Sequence, residues 1–262
     1  GSIKLLNELP LSNRLIRETH KILLQTVRGE NKMPGDFRIS QNWIGGSSLS
    51  SAKFIPPNYR YIDELMGDVE RFIHNESNNV PHLIKIAILH YQFETIHPFL
   101  DGNGRVGRLL ITLYLVGQGI LNKPALYLSD YLERNRDEYY SHLTAIREKN
   151  QIIPWIKFFL KGIISTATNA KETFIKIIQL QKDMEVKLHS FGTKSEKINT
   201  ILNSFYDTPI LSVKDIVTRT GIADKTTRNM IEFMLEEGLI KEMTGYGRNK
   251  LFIFEKYFNL FK

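Results

Sequence analysis

The chain has 262 residues, 42% of them hydrophobic and none of them cysteine, with a formal net charge of +7. That length and apolar content favour one large and one small folded domain over disorder, and the absence of cysteine excludes disulfides and thiolate metal sites. No run of about 18 apolar residues is present, so no membrane-spanning helix is expected, and a reducing cytoplasm is the expected setting.

The opening Gly-Ser resembles a cleavage scar, so native residues are expected upstream. "LSNRLIRETHKILLQTVRG" then repeats apolar residues (Leu11, Leu15, Ile16, Ile22, Leu23) at helical spacing up to Gly29. The next stretch, about Asp36 to Pro57, is rich in Gly, Ser and Pro. Its segments "FRISQNWIG" and "AKFIPP" suit short strands, which together read as an exposed β-hairpin flap. Helical patterns resume in "YIDELMGDVERFIHN", "PHLIKIAILHYQFETI" and, from Arg105, "RVGRLLITLYLVG". Further helices follow in "YLERNRDEYYSHLTAIREKN" and in a long segment reaching residue 191.

Near Gly192 the pattern changes to three short helices joined through "TGIAD", then two strands around Gly245–Tyr246–Gly247. This is the order of a winged helix-turn-helix. The expected division is a core over 1–165, a connecting helix over 166–193 and a winged helix over 194–262. The fold class is mainly α, a helical bundle with a β-hairpin flap and a small winged-helix domain.

The densest chemistry lies in "HPFLDGNGRVGR", residues 97–108. Gly102, Asn103 and Gly104 form a turn that feeds the N-terminus of an apolar helix. Such a terminus offers free N–H groups and partial positive charge, hence an anion site. Arg105 and Arg108, three apart, can face the same anion. The sequence is not a Walker A loop, because no Gly-Lys-Ser/Thr follows. It is not a calcium loop either, because Arg105 and Thr112 occupy ligand positions. Asp101 beside phosphates suits Mg²⁺ held by one carboxylate, phosphate oxygens and water, and His97 is a candidate general base.

This segment resembles the signature of the Fic family, His-x-Phe-x-Asp/Glu-Gly-Asn-Gly-Arg-x-x-Arg, with every specified position filled. The resemblance extends to "GDFRISQNWIGGSSLSSAKFIPP", "HYQFETIHPF" and "NRDEYY" and spans about residues 10–165. It implies a Fic-type helical bundle and transfer of AMP from ATP to a Ser, Thr or Tyr hydroxyl of a target protein, with pyrophosphate leaving. On that basis His97 is the general base, Asp101 holds Mg²⁺, and Gly102, Asn103 and Gly104 cradle the phosphates. Arg105 orients phosphates and Arg108 meets the γ-phosphate. Asn135, Tyr139 and Tyr140 are candidates for the adenine side, against ordinary packing for each tyrosine. Trp43, Ile44 and Gly45 are candidates for target docking along the flap edge, with packing onto the helices the preferred reading for Trp43.

"TVRGEN", residues 26–31, carries the letters of the family's inhibitory motif. Gly29 falls inside it and the segment ends a core helix, so Glu30 is not read as the inhibitory residue. Two alternatives stay open: a relative using another phosphate donor, and a transcription regulator with a Fic-like sensor. Gly104 speaks against the phosphotransferase branch, where lysine is usual. Lys225, Arg228, Arg248 and Lys250 suit DNA phosphates. However, residues 194–262 hold 11 Lys and Arg against 9 Asp and Glu, so docking or homodimer formation stands level with DNA binding.

Overall fold

The computed structural model describes residues 5–6, 8–25, 33–77, 79–124, 126–246 and 249–261. The segment 26–31, Gly247 and Arg248 therefore lie outside the described residues. The chain divides into two compact units, residues 1–168 and 169–262.

The first unit is helical. Helix α1 spans Asn13–Gln25, α2 Ile62–His74, α3 His82–Ile96, α4 Asn103–Gly117, α5 Leu128–Arg134 and α6 Arg136–Lys149. Helix α7, Ile152–His189, begins in this unit and continues into the second. Pro154 sits in its first turn, where a missing N–H costs nothing. The expected connecting helix over 166–193 is thus the later part of one 38-residue helix.

Helices α3 and α4 are apolar nearly all round and form the centre of the unit. Ile86, Ala87, Leu89, Phe93 and Ile96 of α3 are buried, as are Val106, Leu110, Ile111, Leu113 and Leu115 of α4. Their close approach depends on Gly107, where a Cβ would come within 2.3 Å of Glu94 Oε1. Trp155 of α7 is fully buried and donates its indole N–H to the Ala87 carbonyl at 3.0 Å, tying α7 to α3.

The flap over 36–57 closes as a hairpin on a single bridge pair, Ile44 with Phe54, and forms no run of strand. Its polar side chains bind the backbone that a ladder would use. Gln41 donates to Pro56 O (2.9 Å), Arg38 to Ser40 O (3.1 Å) and Pro57 O (2.6 Å), while Pro56 and Pro57 have no N–H to give. At the tip Gly46 has φ +75, and a Cβ there would collide with the Ser51 carbonyl at 2.2 Å.

The second unit runs from the later part of α7 through α8 (Ser195–Asp207), β1 (Ile210–Ser212), α9 (Val213–Thr220), α10 (Asp224–Glu236), β2 (Lys241–Glu242), β3 (Leu251–Ile253) and the one-turn α11 (Glu255–Phe258). The three strands form an antiparallel sheet in the order β1-β3-β2, with Phe252 facing Leu211 on one side and Glu242 on the other. Strand β1 is an element the sequence did not announce. A capping box of Ser212 and Asp215 starts α9, and Gly221 at φ 69 ends it. Ile198, Ile201, Phe205, Ile216, Met234 and Phe254 make the core of this unit.

Among the described residues no helix is long and apolar enough to cross a membrane.

Candidate active site

Residues 97–108 form a loop between α3 and α4. Helix α3 stops because His97 adopts a left-handed conformation, φ 51 and ψ 60, while its N–H still donates to Phe93 O at 2.9 Å. The backbone then turns, and Gly102, also left-handed at φ 78, caps the start of α4. Asn103, Gly104 and Arg105 open that helix, so their N–H groups have no carbonyl one turn earlier within it.

The Asn103 side chain holds this loop in shape. It is buried, its Oδ1 accepts from Phe99 N–H at 2.8 Å, and its Nδ2 donates to Phe99 O at 2.7 Å. Its amide is engaged by the loop itself, which leaves the Asn103 backbone N–H as the group turned to an anion.

Below the loop His20 of α1 stacks on Phe99 with ring centroids 3.8 Å apart. Gly35 N–H donates to His20 Nδ1 at 2.9 Å, so the proton sits on Nε2 and is donated to Asp101 O at 3.0 Å. Burial lowers the pKa of His20, which favours this neutral tautomer.

Arg38 is the least expected member. It is 2% exposed, and its guanidinium donates to the carbonyls of His97 (2.9 Å) and Ile96 (3.4 Å) as well as to the flap carbonyls. A cation thus caps the C-terminus of α3, where the helix dipole is negative, and fixes the backbone of His97. Asn42 Nδ2 also donates to Phe99 O at 3.1 Å. The sequence showed Arg38 as one basic residue among flap residues; its isolation between apolar Phe37 and Ile39 was the one available signal.

His97 itself is partly exposed, but its Nδ1 is buried with no bond that satisfies it. Burial pushes its pKa down to about 4. The nearby Glu94 carbonyl and Asp101 pull it upward, and Arg38 and Arg147 push further down. The free imidazole is therefore neutral at pH 7, the protonation state a base requires.

Behind the loop, burial raises the Glu94 carboxyl to about 7 against the opposing influence of Arg108 and Arg147, and Oε1 has no partner. Arg147 lies 3.7 Å from the ring of Phe54 in the flap. Arg108 makes no ion pair among the described residues, and its Nη1 lies 3.3 Å from where a Cβ on Gly104 would be. Arg105 Nη2 lies 3.7 Å from Asp101 Oδ2. Two cations, one beside Gly102 and one beside Gly104, thus flank the free N–H groups at the start of α4, and groups of this kind attract anions.

The donor set fits Mg²⁺ only in company with phosphate. Asp101 is half-exposed and uses Oδ1 to accept from Gly102 N–H at 2.6 Å, leaving Oδ2 beside Arg105. Among the described residues no group of three His, Asp or Glu side chains could cage a metal alone. One carboxylate completed by phosphate oxygens and water is the way Mg²⁺ is commonly held beside nucleotides.

The outlying candidates fare differently. Tyr139 is not available to a base, because its ring is in the core and its hydroxyl donates to His90 Nε2 at 3.0 Å. His90 Nδ1 in turn donates to Gly107 O at 3.0 Å, so this pair ties α6 to α4. Asn135 donates to Tyr131 O at 2.8 Å, and Tyr140 is 46% exposed with the Arg136 guanidinium 5.8 Å from its ring centre. No described contact joins either to the loop. Ile44 carries the flap bridge and Gly45 has φ +69 beside it. Trp43 is 41% exposed, so part of its ring is covered and part is open to solvent.

Comparison with known proteins points to one family. Residues 10–115 match the model of the Fic/DOC family. The chain is 30% identical over 155 residues to "Protein adenylyltransferase Fic" of Drosophila grimshawi, covering 59% of this chain and 29% of that one. It is 39% identical over 119 residues to the "Probable protein adenylyltransferase" of Aquifex aeolicus, covering 45% and 32%. The chain therefore spans under a third of the length of these relatives. A Fic family protein from Desulfovibrio desulfuricans has a similar fold, with TM-score 0.56 and 21% identity over 97% of this chain and 72% of that one. A Fic domain-containing signaling protein from Bacteroides thetaiotaomicron gives 0.51 and 20% over 64% and 67%.

Proposed function

Starting from a chain that carries a Fic domain, we propose a protein adenylyltransferase that moves AMP from ATP to a Ser, Thr or Tyr hydroxyl of a target protein. The observation that carries this reading is the convergence on one loop of a neutral histidine, a half-exposed carboxylate, free helix N–H groups and two arginines.

In this reading the N–H groups of Asn103, Gly104 and Arg105 bind the α- and β-phosphate oxygens. Arg108 receives the γ-phosphate and Arg105 orients the chain of phosphates. Asp101 is the residue that holds Mg²⁺, which when bound neutralises phosphate charge. His97 takes the proton of the attacking hydroxyl as its oxygen bonds to the α-phosphorus and the bond to the pyrophosphate oxygen breaks. Bound triphosphate brings negative charge towards the imidazole, which raises its pKa from the low value of the free site and improves it as a base. Rigid placement matters most, because phosphoryl-type transfer needs alignment and charge neutralisation more than covalent help. The flap edge at Trp43, Ile44 and Gly45 receives an extended target segment, and Asn135 and Tyr140 stay as candidates for the adenine.

We read residues 194–262 as a winged helix-turn-helix appended to the core of 1–165, a module for docking or for DNA. The test of the main reading is label transfer with Mg²⁺ and a cell lysate. Label on the α-phosphate is expected to enter protein and label on the γ-phosphate is not. Protein labelled from the γ-position would overturn the proposal in favour of a phosphotransferase.

A further inference from the structure

In the second unit, α7 uses only one side for its own core. Met184 and Leu188 are buried and Leu180 packs against the same cluster. A different flank carries Phe174 (52% exposed), Ile175 (56%), Ile178 (53%) and Val186 (73%). Four large apolar side chains within four turns, all more than half in water, form a patch that a soluble domain seldom leaves uncovered.

The charges beside the patch say what covers it. Positions seven apart on a helix drift by only about 20°, so Lys171, Ile178 and Glu185 lie in one row. Both charged residues are exposed, and neither takes part in an ion pair among the described residues. Read in one direction the row is basic, apolar, acidic; read backwards it is acidic, apolar, basic. Such a row is complementary to a reversed copy of itself. A parallel copy would set lysine against lysine and glutamate against glutamate.

We infer that this flank of α7 is the interface of an antiparallel homodimer, with the two-fold axis passing at Ile178. Ile178 meets its own copy, Lys171 of each chain faces Glu185 of the other, and Phe174 packs beside them at the edge of the contact. The contact is isologous, as a closed two-fold requires. Apolar burial supplies the affinity, while the charge pairs fix direction and register. Sixteen residues, about 24 Å of helix, are about two heptads, so the dimer forms and dissociates with concentration. The inference rests on the second unit and stands apart from the chemistry of the first.

Sedimentation velocity of the whole chain across a concentration series tests it. The wild type is expected to move from one to two chain masses, and Ile178→Asp is expected to stay at one. That substitution lies on a surface half exposed to water, and a circular dichroism spectrum like the wild type's certifies its fold. Lys171→Glu alone and Glu185→Lys alone should each weaken the dimer. An equimolar mixture of the two, and the double variant K171E/E185K, should both recover it. The chain lacks cysteine, so Ile178→Cys offers a further readout: mild oxidation should link it to its own copy, and Val186→Cys, far from its counterpart, should not link. A wild type monomeric throughout, a dimer indifferent to Ile178→Asp, or a double swap as weak as the singles would overturn the assignment.

Discussion

Replacing Asn103 with alanine separates holding the loop from touching the nucleotide. The amide makes two bonds to Phe99, accepting from its N–H at 2.8 Å and donating to its carbonyl at 2.7 Å, in a buried setting. After truncation the carbonyl keeps Asn42 Nδ2 at 3.1 Å, but the N–H loses the bond that satisfied it. An orphaned buried donor costs about 1–3 kcal/mol, and the second lost bond about 1. Better helix propensity of alanine returns about 0.5 kcal/mol. The net loss is roughly 1.5–3.5 kcal/mol, and at about 2–4 °C per kcal/mol for a domain of this size the melting temperature should fall by about 3–14 °C. Thermal unfolding by circular dichroism, beside ATP binding by calorimetry, reads both effects. Weaker ATP binding with an unchanged melting temperature would place the amide on the ligand rather than on Phe99.

Two further outcomes follow from the buried titratable groups. Glu94 has its pKa raised to about 7 from 4.5 by burial. Its stabilising contribution is complete below about pH 4.5 and is lost as pH rises through 7, roughly 3 kcal/mol over that window at about 1.4 kcal/mol per unit. Glu94→Gln should therefore flatten the decline in stability between pH 5 and 8 in urea titrations; an unchanged slope would mean that another group carries it. The His97 pKa is pushed down to about 4, so the imidazole proton resonances of the free protein should titrate well below pH 6, and nucleotide binding should move that titration upward. A midpoint near 6.5 in the free protein would show that the ring is neither buried nor facing Arg38 and Arg147 as described.

The loop at 97–108 was legible in the sequence because its signals are local. Gly102 needs φ 78, and the apolar run behind it can only be a core helix. What escaped the sequence depends on partners far along the chain. Tyr139 sits in a polar, charged segment, and only the approach of His90, 49 residues earlier, makes it a core residue. Arg38 acts on carbonyls up to 59 residues away, which no spacing rule encodes. Flap strands were expected from β-favouring residues, yet Arg38 and Gln41 bind the carbonyls directly, and the ladder stops at one bridge. Strand β1 is three residues long, too short to show a period, and exists because Leu211 pairs with Phe252.

The most direct test of His97 as the base compares wild type and His97→Ala for initial rate of α-phosphate label transfer, with ATP affinity measured on the same samples. ATP binding is expected close to wild type, since the phosphates rest on Gly104, Arg105 and Arg108, and label transfer is expected to fall at least about 100-fold, the scale of a lost general base. Transfer by the variant within a few-fold of wild type would contradict the assignment of His97 as the base.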